Sequence, residues 1–173
     1  MSIGAIALRI VGALVLIAVL ALVLYPAFSP KTSAPQHSAC YIQMRQCAIG
    51  LSMYSADNDD VLPARDTWMD ATFGYSQTNE NFHCTAMESP GEYGIALNSA
   101  LIGVKIVPDR DVALVFDSSV LTRNATAPLS SAPNPGRHGG YDVVGFVDTH
   151  VRAVRDEEMT ALGKPVKQVS APQ

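Results

Sequence analysis

The sequence predicts an α+β fold: a long N-terminal hydrophobic helix with a proline break, then an amphipathic helix packed on a small antiparallel sheet. Three observations predict it. Residues 3–28 are almost continuously apolar, with Arg9 the single charge. Cys40, Met44, Cys47, Leu51 and Tyr54 recur at spacings of 4, 3, 4 and 3. Near the C-terminus, residues 141–147 and 150–154 form two short apolar runs around Asp148-Thr149.

The first run is long enough for a bilayer core, which takes roughly 20 helical residues at about 1.5 Å each. It is too long for the apolar core of a secretory signal, and no Lys or Arg precedes Arg9. A retained helix is the reading. Arg9 sits close enough to the end to reach the interface. The charges flanking the run do not settle orientation. Pro26, Pro30 and Pro35 come next, each removing a backbone donor and disfavouring helix just before it. Residues 29–36 therefore read as an extended connector.

From about residue 35 to 56 the 4-3-4-3 spacing puts the apolar side chains on one face of an amphipathic helix. Asp57-Asn58-Asp59-Asp60 stops it. Residues 61–104 read as irregular, with Trp68 and Phe73 pinning a short helix or turn. Residues 111–117 read as a buried strand and 122–140 as a long loop. The last two apolar runs make a hairpin turning at Asp148-Thr149. Asp156 can cap a short helix ending at Gly163, and 164–173 reads as a loose tail.

All 16 acidic residues lie beyond Pro30, with 11 of the 12 basic ones, so that part carries a net charge of about −5. An acidic domain without a basic stripe is a poor nucleic-acid partner. No phosphate loop, nucleophile elbow or paired-carboxylate signature appears, so an enzyme is not expected.

Four segments resemble the type IV pilin-like proteins, and more narrowly those with a C-terminal His-X9-Asp-Gly motif. They are residues 39–59, Phe82-His83-Cys84, residues 111–119 and residues 137–151, where nine residues separate His138 from Asp148. The resemblance implies a filament subunit with a hydrophobic stem and a globular coat. Two positions depart from it. Cleavage after Gly4 would put Arg9 where that family carries Glu. Thr149 stands in place of the turn glycine, and a β-branched residue is disfavoured at positive φ, so either the turn is of another type or it carries strain.

Asp117, His138, Asp148 and His150 are expected to form a structural polar network pinning the long loop to the hairpin, with no metal. Metal or acid–base roles are the less favoured readings of the same groups. Cys40–Cys84 is the preferred disulfide, closing a loop of about 45 residues and contributing on the order of 3–4 kcal/mol. Cys47–Cys84 is its rival, and reduced core thiols are the third option. Residues 57–60 offer hard oxygens for calcium but lack the EF-hand Gly and Glu; a solvated helix end is the favoured reading, a calcium site the less favoured one, and no cofactor is expected. Asn124-Ala125-Thr126 is a glycosylation sequon in a surface loop.

The function this implies is a structural subunit of an extracellular type IV pilus-like or pseudopilus filament. It would polymerise through Arg9, Leu16, Leu20, Leu24 and Pro26 of the first helix. Its expected partners are other copies of itself, the inner membrane before assembly, and the assembly machinery. The alternative is a monomeric, single-pass anchored binding or sensor module outside the cytoplasm.

Overall fold

The computed structural model describes residues 4, 11–21, 34–76 and 78–162. Contacts divide the chain into a unit of residues 1–34 and a larger unit of residues 35–173.

The expected long N-terminal helix is corrected. Among the described residues the first helix, α1, covers residues 11–21, and no helix is long and apolar enough to cross a membrane. Arg9, Leu24, Pro26, residues 29–33 of the connector and the 164–173 tail lie outside the described residues. Residues 34–36, expected in the extended connector, already belong to α2 (Ala34–Asp57). Pro35 is tolerated there because the first N–H groups of a helix have no internal acceptor.

α2 buries Cys40, Met44, Cys47, Ala48 and Leu51 and turns Ile42 and Met53 outward. Its end is a built cap. The amide of Asp60 donates to Ser55 O at 2.9 Å, and the side chain of Asn58 donates to Tyr54 O at 2.7 Å. Asp59 and Asp60 take left-handed φ values of 55° and 62°, which lets the chain leave the helix while its last carbonyls stay bonded.

α3 (Trp68–Ser76) buries Trp68, Met69, Thr72 and Ser76. Phe73 does not pin it: that ring is 41% exposed, a quarter-turn off the buried stripe. Trp68 anchors the element, donating its indole N–H to Ala125 O at 2.9 Å and meeting Phe82 edge-on.

Among the described residues five strands form the sheet: β1 (Ile95–Asn98), β2 (Ala113–Asp117), β3 (Thr126–Ala127), β4 (Asp142–Phe146) and β5 (Val151–Val154). Their order in the sheet is β3-β1-β2-β4-β5. The expected antiparallel sheet is corrected to a mixed one, because β3 pairs parallel to β1. A pair that short is held by its surroundings: Ala125 O accepts from both the Leu97 amide and the Trp68 indole.

The sheet is covered on both faces. Ile95, Leu97, Val115 and Val143 share one apolar cluster with α2. Ala96, Phe116, Val144 and Val154 share another with Leu129 and Met159, the latter on α4 (Asp156–Leu162). Strand alternation sends successive residues to opposite clusters. Leu114 and Val115 break the rule by joining the same cluster, and the pairing register of β2 with β4 shifts there, between Ala113 and Val115. An extra residue on one strand re-aims the side chains beyond it. Gly145 of β4 lets α2 come close, since a Cβ there would stand 3.3 Å from Ala48 Cβ and from Met44 Cγ.

Candidate functional site

Four polar side chains converge where α2, the loop before β1, the end of β2 and the loop before β4 meet: Cys40, Cys84, Asp117 and His138. All four are buried, and their ligand atoms lie within 4.8 Å of one another. Cys40 Sγ is 3.4 Å from Cys84 Sγ and 3.8 Å from Asp117 Oδ1. His138 Nε2 is 3.6 Å from Cys84 Sγ and 3.2 Å from Asp117 Oδ2.

Each group is placed by local chemistry. Cys40 is the first apolar position of the α2 stripe. Cys84 sits in a turn closed by the Met87 amide donating to Cys84 O, and its own amide donates to Tyr93 O, both at 2.9 Å. Asp117 ends β2, and its Oδ2 accepts the Val143 amide at 2.7 Å. His138 lies in the 136–140 turn, where Gly136 is obligatory: a Cβ there would stand 2.5 Å from the carbonyl carbon of Tyr141. Arg137 of the same turn donates to Gly94 O at 2.6 Å, to Ser118 O, and to Asp117 Oδ1 at 3.3 Å. A buried carboxylate is tolerable because this guanidinium offsets its charge.

The cluster polarises its members. Hydrogen bonding to Cys84, then burial, pushes the Cys40 thiol far up. The Cys84 thiol goes down to about 5, chiefly through its hydrogen bond to Cys40 and also through His138 and the Ala86 amide. Hydrogen bonds to Asp117 first and Cys84 second raise His138 to about 10. Cys84 thus has thiolate character beside an imidazolium. A nucleophilic Cys–His–Asp relay would divide the two ring nitrogens between thiol and carboxylate. Here Nε2 faces both, and all four groups are shut from solvent. A cleft of about 420 Å³ lined by His83, Thr85 and Tyr93 includes none of the four side chains, and Cys84 is fully buried. The arrangement resembles a set of ligands more than a relay.

The four-residue polar network expected from sequence separates into two places. Asp117 and His138 join the cysteines. Asp148 and His150 pair with each other on the β4–β5 turn, where the His150 ring stacks on Phe146. Thr149, between them, takes φ 69°, the left-handed value expected of a glycine there.

Cys40 and Cys84 are the pair brought together, but at 3.4 Å they are not bonded, so the expected disulfide is corrected to two free thiols. Cys47 is engaged elsewhere, donating to Asn81 O at 3.0 Å. Asn124 of the sequon is also committed: its Oδ1 accepts the Met69 amide at 2.7 Å and its Nδ2 donates to Asp70 at 2.6 Å. Sequence reasoning missed Arg137 and the grouping of both cysteines with His138 and Asp117. The pairing Arg137-His138 beside glycines was a visible signal for a tight polar turn, but not for its partners.

Comparison with protein-family models, with curated proteins and with solved structures finds no match to this chain.

Proposed function

We propose that this chain is a structural subunit that polymerises into an extracellular pilus-like filament through its N-terminal apolar segment, with the α+β domain as coat. One observation carries the reading. Along α1 every residue is exposed, and Val11, Leu14, Val15, Leu16, Ile17, Val19 and Leu20 are each 54–65% accessible. Leaving such a side chain in water instead of burying it forgoes roughly 1.5–3 kcal/mol.

The cover that suits it is further copies of the same segment. The helix is apolar on all sides, so it has no polar face to present to water, and it fits a core in which neighbours surround it. Gly12, Ala13, Ala18 and Ala21 are small enough for helices to approach closely. Before assembly, the wider apolar run of residues 3–28 would be shielded by the inner membrane with the acidic domain outside the cytoplasm, and cell-surface filaments would form from there.

The test is electron microscopy of sheared cell-surface material with antibody against the domain. Labelled fibres that disappear in Leu16→Arg are expected. Protein confined to membrane fractions, with no labelled fibre on any cell, would sink the reading.

A further inference from the structure

We propose that Cys40, Cys84, Asp117 and His138 form a closed structural binding site for a borderline-soft divalent cation, Zn²⁺ above all. The inference is independent of filament formation, because it concerns the inside of the domain.

The donor set is two thiols, one imidazole and one carboxylate, the ligand types zinc takes. The spacing agrees. Zinc bonds of about 2.3 Å to sulfur and about 2.0–2.1 Å to nitrogen or oxygen, set tetrahedrally, put two sulfurs about 3.8 Å apart, sulfur and nitrogen about 3.5 Å, and nitrogen and oxygen about 3.3 Å. The corresponding separations here are 3.4, 3.6 and 3.2 Å. The remaining pairs stay within 4.8 Å, so small adjustments complete the tetrahedron.

A single ring nitrogen facing both a thiol sulfur and a carboxylate oxygen is awkward for hydrogen bonding, since one N–H cannot serve both well. It is natural for ligands converging on one ion. A disulfide would use the sulfurs alone, whereas His138 Nε2 and an Asp117 oxygen close on the same point as the two sulfurs.

The surroundings are those of a supported site. Arg137 and the Val143 amide orient Asp117, and the Ala86 amide donates to the Cys84 sulfur. On binding, Cys40 gives up its thiol proton and His138 the proton on Nε2, both leaving to solvent, so that two thiolates and a neutral imidazole face the ion. Two thiolates and one carboxylate are then balanced by Zn²⁺ and the Arg137 guanidinium, so the buried centre is neutral. With four protein ligands and no solvent access there is no open coordination position, which makes the role structural. The ion would tie α2, the segment before β1, the end of β2 and the 136–140 turn together at one point.

The experiment is native mass spectrometry of the full chain, purified in detergent under reducing, chelator-free conditions and supplied with Zn²⁺. One zinc per chain is expected, retained by Cys47→Ser and lost from Cys84→Ser and His138→Ala. Because those variants can fail to fold, the wild-type chain is also loaded with Co²⁺. Thiolate-to-cobalt charge-transfer absorption with intense tetrahedral d–d bands is expected. A reduced wild-type chain that takes up neither ion overturns the proposal. So does zinc that persists in Cys84→Ser, or a cobalt spectrum lacking thiolate bands.

Discussion

Arg137 and Asp117 form a buried ion pair, Nη1 to Oδ1 at 3.3 Å, that joins the turn before β4 to the end of β2. The guanidinium is also spent on two backbone carbonyls, Gly94 and Ser118, so three segments depend on one side chain. Removing one partner of such a pair strands the other charge in a low-dielectric site. Arg137→Met is expected to destabilise the domain by about 3–5 kcal/mol. Arg137→Lys should recover only part of this, because an ammonium lacks the planar fork that serves Asp117 and both carbonyls together. Urea denaturation followed by tryptophan fluorescence checks it, since Trp68 is the chain's only tryptophan and is buried. Equal stability of Arg137→Met and wild type would refute this account.

Asp142 gives a pH prediction. Burial raises its carboxyl to about 6, and its Oδ2 has no hydrogen-bond partner among the described residues. The folded state therefore holds a proton on Asp142 more tightly than the unfolded chain does. Stability rises as pH falls from above 6 towards 4, and is lost as pH rises through about 6. Asp142→Asn keeps an acceptor for the Arg137 amide and removes the buried charge. It should raise stability above pH 7 by on the order of 2 kcal/mol, since each pKa unit is about 1.4 kcal/mol. The part of the pH dependence between 4 and 6 that Asp142 supplies should vanish. Unfolding midpoints from pH 4 to 8 measure both, and a variant less stable than wild type at pH 8 would contradict it.

Thr149 sits at φ 69° in the β4–β5 turn, with its amide donating to Phe146 O at 2.9 Å. A left-handed backbone costs an L-residue roughly 1–2 kcal/mol. Thr149→Gly keeps the amide and relieves the strain, offset in part by the greater freedom of glycine when unfolded. A net gain of about 1 kcal/mol in thermal or chemical unfolding is expected.

Gly136 is held against the backbone of Tyr141, where a Cβ would approach to 2.5 Å. Backbone cannot yield as a flexible side chain can. Gly136→Ala should therefore cost about 1–3 kcal/mol and move His138 away from Asp117. The His138 ring reports this by NMR. Chemical shifts unchanged from wild type would mean that the turn accepts the methyl group without moving.

How much was legible beforehand varied with the range of the interaction. The α2 helix shows in the spacing from Cys40 to Tyr54, because a helix repeats every 3.6 residues and needs only its own sequence. The hairpin shows from the two short apolar runs on either side of Asp148-Thr149, whereas the choice between another turn type and a strained Thr149 is made only by the structure, which holds that residue at φ 69°. The parallel β1–β3 pair did not show: Thr126-Ala127 is too short to carry a period, and it is a strand only because Leu97 and Trp68 hold its neighbour Ala125. Asp148 was grouped with His138 on a sequence interval, yet in space it pairs with His150.

By itself, then, the sequence determined the buried stripe of α2 and its stop at residues 57–60, the apolar character of residues 3–28, and the acidic balance of the chain beyond Pro30. Only the tertiary structure decided which polar groups meet. Cys40, Cys84, Asp117 and His138 come from four segments, and no local period relates them. They converge because α2 packs on one face of a sheet whose neighbouring strands end beside it. Burial then makes their mutual contacts obligatory, since a polar group shut from water must find its partner inside.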